Sequence, residues 1–141
     1  MKTLLLILCS CLPLKHLSLT SPFGYRIHPI TSQYRFHNGI DLRAHHDTVY
    51  AVFDGTAFIG YDHFLGIYIK IINGNLTVSY GHLSALFTCA GPVACGEPVA
   101  LTGATGRVTG EHLHFSIKYK GHYLEPLKFL YQLNLNQYPY E

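Results

Sequence analysis

Asn73-Gly74 sits between two apolar, β-branched runs, residues 65–72 and 76–80. An Asn-Gly pair in that setting favours a two-residue hairpin, because both positions tolerate the positive φ that the tight turn demands. The pair commits the middle of the chain to antiparallel β-structure. Leu76, Val78, Tyr80 and His82 share a parity, which predicts one strand face carrying all four. Residues 112–120 alternate strictly. Leu113, Phe115, Ile117 and Tyr119 point one way; His112, His114, Ser116, Lys118 and Lys120 point the other. Shorter strand signals lie at 48–53 and 56–61, around the Asp54-Gly55 turn, and at 97–101 before the turn-rich stretch 102–110. Only residues 125–133 read as a helix, with Pro126 in its first turn. The predicted fold class is mostly β: antiparallel strands in two packed sheets or a half-open barrel, with a short C-terminal helix. With 141 residues, 48% of them apolar, the chain suits one domain with a real core.

The amino-terminal residues have a different character. Lys2 precedes an apolar run, 4–14, that is too short to span a bilayer and suits the h-region of a signal peptide. This predicts an export signal over residues 1–20 and the domain over 21–141; a buried element of the domain is the rival reading. Leu8-Cys9-Ser10-Cys11 also has the form of a weak lipobox, which would put a lipid anchor on Cys11. The destination is then the periplasm, the cell envelope or the medium. No other segment approaches transmembrane length, so no stable membrane span is expected. In such a compartment Cys89 and Cys95, flanking the Gly91-Pro92 turn, are expected to form a disulfide; two small core thiols are the alternative. The net charge is +2, and removal of residues 1–20 takes Lys2 and Lys15 with it and leaves none. Nucleic acid is therefore excluded as the main partner. The chain is expected to act as a monomer.

Ten histidines stand against that low charge and direct attention to a metal site. His37 and Asp41 lie four apart across Gly39, in a loop entering a strand. His112 and His114 share one strand face about 6.5–7 Å apart, so one can ligate while the other stands beside the metal. Each cluster alone is weak; an isolated His-x-His is more often a solvated strand face. Together they offer three protein ligands of the type zinc accepts, and an extra histidine. Three ligands leave a fourth position open, as a catalytic zinc site requires.

His37-Asn38-Gly39-Ile40-Asp41, Tyr80-Gly81-His82-Leu83-Ser84 and the run from Gly103 through His112-Leu113-His114-Phe115 resemble the signature segments of the lysostaphin/LytM-type zinc endopeptidases of peptidoglycan. Gly24-Tyr25-Arg26-Ile27-His28-Pro29 is similar to that family's opening Gly-x-Arg-x-His-Pro, and Leu124-Glu125-Pro126 to its closing acidic-Pro element. The resemblance runs from about residue 21 to about residue 130. It implies a LytM-like domain of barrel-sandwich hybrid type and a metalloendopeptidase with Zn2+ as cofactor and peptidoglycan peptides as substrate. By position it implies His37, Asp41 and His114 as zinc ligands, and His82 and His112 as catalytic histidines. Asp47-Thr48-Val49 stands where the family usually has Gly-Thr-Pro-Val, and cysteines are unusual at 89 and 95. The alternative reading is a non-catalytic LytM-like module that activates a cell-wall amidase; the presence of all five residues argues against it. Because an ordinary histidine titrates near about 6.5, activity is expected to fall below about pH 6. His28 is expected to be structural, fixing the turn at Pro29, and His45 and His46 to form a solvated loop pair.

Overall fold

A computed structural model describes residues 12–135. In chain order the elements are β1 (Leu19–Ser21), β2 (Gly24–Ile27), β3 (Tyr34–His37), β4 (Ile40–Arg43), β5 (Thr48–Tyr50), β6 (Gly55–Asp62), β7 (Gly66–Asn73), β8 (Leu76–Leu86), β9 (Gly91–Val93), β10 (Pro98–Thr102), β11 (His112–Tyr119), β12 (His122–Leu124) and α1 (Pro126–Leu135). The main sheet runs β1-β4-β11-β8-β7-β6-β9, every neighbouring pair antiparallel. β12 pairs with β11, and β10 bridges β8 to β5; β2 and β3 form a separate hairpin. The mostly β, antiparallel reading therefore holds.

The alternation in β11 does what its period of two requires. Leu113, Phe115 and Ile117 are fully buried, while His112, His114, Ser116 and Lys118 line a cleft on the opposite face. β4 and β8 flank β11 and divide in the same way. Ile40 and Leu42 from β4, and Val78 and Tyr80 from β8, are buried in the same core as Ile69 and Ile71 of β7. Tyr80 packs on Phe115 with ring centroids 5.3 Å apart, and its hydroxyl accepts the Val52 N–H at 3.1 Å. That bond satisfies a polar group deep in the core.

Two local expectations shift. The hairpin loop is Gly74-Asn75, because Asn73 is already paired with Leu76. Gly74 has φ +58° and Asn75 does not share the positive sign, as a type II′ turn requires. More consequentially, His82 does not continue the face of Val78 and Tyr80. An extra residue in β8 breaks the register with β7 between Tyr80 and Leu83, opposite Ile69 and Ile67. His82 takes φ +62° in this bulge. The bulge hands the core-facing place to Leu83 and turns His82 into the cleft beside Ser79 and Thr77.

Gly66 and Gly106 meet back to back next to that bulge. A Cβ on Gly66 would lie 2.3 Å from the Thr105 carbonyl carbon, and one on Gly106 would lie 2.4 Å from the Gly66 nitrogen. Both have positive φ, so glycine is required twice over. At the other end of the chain, Glu125 caps α1. Its carboxylate accepts the N–H groups of Leu127 and Lys128 at 3.2 and 2.8 Å, with Pro126 as the first helical residue.

Cys89 and Cys95 are not joined. Cys89 is exposed, whereas Cys95 turns inward and its Sγ donates to the Val52 carbonyl at 3.6 Å. β9, which pairs with β6, lies between them in the sequence. On the amino-terminal side of the expected boundary at residue 20, described residues pack against the domain. Leu14 is 2% exposed in the core, Pro13 O accepts the Tyr50 N–H at 2.9 Å, and β1 pairs with β4. Residues 1–11 of the expected export signal, Cys11 included, lie outside the described residues. No described helix is long and apolar enough to cross a membrane.

The burial of Leu14 makes a direct test. Leu14→Ala is expected to destabilise the domain by about 2–5 kcal/mol, the usual range for emptying a buried leucine site. Urea unfolding reads this out; an unchanged midpoint would show that residues around 14 contribute nothing to the core.

Candidate active site

Three neighbouring strands deliver the site. In the pairing of β4 with β11, Asp41 stands directly opposite His114; in that of β11 with β8, His114 stands opposite Gly81. Side chains opposite one another on one face of a sheet lie within contact distance. His37 arrives from the end of β3, and Asn38-Gly39 bends the chain back to Asp41. A Cβ on Gly39 would sit 2.5 Å from the Phe115 carbonyl oxygen and 2.9 Å from the His114 ring. The glycine in that motif therefore admits the His114 imidazole. Gly81 does a similar service on the other flank, where a Cβ would meet Leu65 at 2.9 Å.

Three donor atoms converge. His37 Nε2 lies 3.3 Å from Asp41 Oδ1, His114 Nδ1 lies 3.0 Å from the same oxygen, and the two nitrogens are 3.2 Å apart. Ligands about 2.0–2.1 Å from a tetrahedral zinc ion lie about 3.3 Å from one another. The triangle matches one face of such a polyhedron, so the residues present fit a zinc ion with further positions open. All three residues are buried, at 8–9% exposure. His112 Nε2 stands 3.5 Å from Asp41 Oδ1, and the His82 ring packs edge-on against His112 with centroids 4.7 Å apart. The five residues singled out in the sequence thus share one cleft of about 860 Å³.

The far side of each ring decides which nitrogen faces the cleft. His37 Nδ1 donates to Pro22 O at 2.9 Å, His82 Nδ1 to Thr105 O at 2.9 Å, and His112 Nδ1 to Gly110 O at 2.9 Å. A carbonyl can only accept, so Nδ1 carries the proton and Nε2 offers a lone pair. Thr105 is itself anchored: its hydroxyl donates to Leu83 O at 2.6 Å and accepts the Ile67 N–H at 3.0 Å.

Electrostatics follow from this packing. Burial lowers the His82 pKa to about 4, against the opposing pull of the Thr105 carbonyl; nearby His112 and His114 lower it further. The sequence expectation of acid loss just below pH 6 thus does not apply to His82, whose neutral form persists well below that. Burial also lowers His114. For Asp41 burial pushes the pKa up, but hydrogen bonds and positive charge from His114 and His37 outweigh it and hold the carboxyl far below the usual range. An ionised Asp41 beside a His114 whose charging is disfavoured by burial suits metal ligation.

Sequence reasoning missed two partners. Arg26 Nη2 lies 3.8 Å from Asp41 Oδ2, while its Nε is buried without a hydrogen-bond partner. The signal was there in Gly24-Tyr25-Arg26-Ile27-His28-Pro29, but nothing in spacing ties residue 26 to residue 41. Thr105 was hidden in a turn-rich stretch. His28 behaves as expected: its Nδ1 accepts the N–H groups of Ile30 and Thr31, at 3.2 and 3.3 Å, and fixes the turn after Pro29.

Residues 35–126 match the sequence model of peptidase family M23. The DD-carboxypeptidase/endopeptidase Mpg of Neisseria meningitidis serogroup B is 41% identical over 121 residues, covering 82% of this chain and 27% of that protein. The chain spans about a quarter of the length of the curated relatives it matches. Among solved structures, a zinc-containing peptidase from Vibrio cholerae superposes with a TM-score of 0.71 at 34% identity, over 77% of this chain and 35% of that one. The catalytic domain of lysostaphin from Staphylococcus simulans shares the fold, with a TM-score of 0.71 at 24% identity over 82% of this chain and 92% of that domain. With motifs, strand order and sequence in agreement over most of its length, the chain belongs to peptidase family M23, the LytM-type family of peptidoglycan endopeptidases.

Proposed function

We propose that this protein is a zinc-dependent endopeptidase that hydrolyses peptide bonds of bacterial peptidoglycan, in a stem peptide or a cross-bridge. The observation that carries the reading is the triangle of His37 Nε2, Asp41 Oδ1 and His114 Nδ1, flanked by two imidazoles whose Nε2 atoms face the same cleft. His37, Asp41 and His114 would hold the metal. A bound zinc ion supplies Lewis acidity, polarising a carbonyl and acidifying water from a pKa of about 15.7 toward about 7. The chain supplies the rest. His82 and His112 each present an unprotonated Nε2, able to take a proton from attacking water and return it to the leaving amine nitrogen. The developing oxyanion can accept a hydrogen bond from whichever of the two has gained the proton. Arg26 stands on the outer side of Asp41, with Nη2 3.8 Å from Oδ2, and adds positive charge beside the carboxylate. No serine or cysteine nucleophile is required. A peptidoglycan substrate places the protein in the envelope or outside the cell, so export belongs to this reading.

Substitutions separate the two groups of residues. Asp41→Ala is expected to lose most bound zinc, because a three-donor site has none to spare. His82→Ala and His112→Ala are expected to keep zinc and lose turnover on purified peptidoglycan by a factor on the order of 10² to 10⁴. Elemental analysis and mass spectrometry of the released fragments check both; full zinc in Asp41→Ala, or normal hydrolysis by both histidine variants, refutes the assignment.

His82 also couples stability to pH. In the unfolded chain the ring takes up its proton near pH 6.5, in the fold only near about 4. Between those values the unfolded state binds more protons. The contribution is therefore complete above about pH 6.5 and lost as pH falls toward about 4, amounting to roughly 3 kcal/mol. Urea titrations of metal-free protein at about pH 7 and about pH 4.5 are expected to show a smaller loss in His82→Asn than in the parent. Parallel losses would contradict the burial argument.

A further inference from the structure

A second convergence of metal-binding side chains lies outside the cleft. His45 and His46 occupy the loop between β4 and β5, and Glu111 immediately precedes β11; none of the three lines the catalytic cleft. His45 Nδ1 is 3.0 Å from Glu111 Oε2, and His46 Nδ1 is 3.5 Å from Glu111 Oε1. The three donor atoms fall within 4.8 Å of one another. Consecutive residues of an extended strand point to opposite sides. Here His46 takes φ +50°, in the left-handed region, and the bend brings both imidazoles onto one carboxylate.

The acidic partner is held in place by the backbone, not by the imidazoles alone. The His46 N–H donates to Glu111 Oε1 at 2.7 Å, and the Glu111 side chain is only 16% exposed. The loop is fixed in turn. Asp47 Oδ2 accepts the His45 N–H at 2.9 Å, Thr102 Oγ1 accepts the Asp47 N–H at 2.9 Å, and Asp47 O accepts the Thr102 N–H at 2.9 Å. Two imidazoles and one carboxylate form the donor set that suits zinc, nickel and copper, while calcium and magnesium prefer oxygen alone. Each imidazole nitrogen faces its own oxygen of the same carboxylate, at 3.0 and 3.5 Å, so all three side chains present donor atoms to one small space.

We propose that His45, His46 and Glu111 form a second binding site for a divalent transition-metal ion, on the surface and separate from the catalytic cleft. Water or a donor from a bound partner completes the coordination. A metal there ties the β4–β5 loop to the start of β11, the two strands that carry Asp41 and His114. The site stands whether or not the cleft is a zinc centre.

Equilibrium dialysis of the full, metal-stripped chain against Zn2+ alone tests this, with uptake compared among four proteins. The parent is expected to bind about two ions, Asp41→Ala about one, and His45→Gln/His46→Asn about one. The three substitutions combined are expected to bind essentially none. Asparagine is chosen at 46 because it tolerates the left-handed conformation. His45 and His46 are 90% and 66% exposed, so the double variant is expected to melt with the parent in chelator, and that melt is the folding control. Glu111→Gln provides an independent removal of one donor and is expected to weaken the same binding event. Equal zinc uptake by the parent and His45→Gln/His46→Asn overturns the proposal and leaves the cluster as histidine–carboxylate hydrogen bonds. If Asp41→Ala keeps full uptake while His45→Gln/His46→Asn loses one ion, the failure falls on the cleft assignment and the surface site stands.

Discussion

Three backbone carbonyls behind the cleft govern what the imidazoles in front can do. Pro22, Thr105 and Gly110 each accept a hydrogen bond from the Nδ1 of a different histidine, and each leaves Nε2 facing the cleft. A ring turned over, or a loop displaced, would present an N–H where a lone pair is needed. The demands on the rest of the fold follow from that constraint. The loop carrying Thr105 must lie against β7 and β8, and the hydroxyl of Thr105 holds it to both. That approach is close enough that Gly66 and Gly106 must both lack a side chain. The bulge in β8 then rotates His82 to meet the carbonyl. The orientation of the cleft's imidazoles thus rests on contacts behind them as much as on the residues that face the cleft.

The apolar half of the sheet gives these contacts a fixed frame. Phe115, Tyr80 and Ile40 pack beneath the same stretches of β11, β8 and β4 that carry the site above. A one-residue slip in any of these pairings would exchange the two faces, exposing the core and burying the cleft. The hydrophobic effect that seals the core therefore also sets the register that puts Asp41 opposite His114.

What the sequence disclosed and what it hid divide along physical lines. The faces of β11 were legible, because eight residues of unbroken alternation leave no second solution. Helix α1 was legible from Pro126 in its first turn. The membership of the cleft was legible from spaced motifs. The face of His82 was not: a bulge inverts the parity that alternation relies on, and one left-handed residue leaves no mark in the hydropathy pattern. The loop of the central hairpin slid by one residue, because Gly74 can serve either turn type. The apolar run at the amino terminus is ambiguous for a different reason. Leucines suit a signal and a core equally, and Leu14 is buried against the core. Cys89 and Cys95 flank β9, a strand paired with β6, and closeness in sequence does not by itself bring two sulfurs together.

The split between the faces of β11 has an evolutionary consequence. Leu113, Phe115 and Ile117 are buried in the core, whereas His112 and His114 line the cleft, and none of the five does both. Selection on folding and selection on turnover can then act on the same strand without interfering with each other. A lineage could exchange its cleft residues one at a time, acquiring a new specificity or falling silent as a catalyst, with its scaffold intact. Such a design favours diversification: the scaffold is inherited whole, and the upper surface of three strands is free to be rewritten.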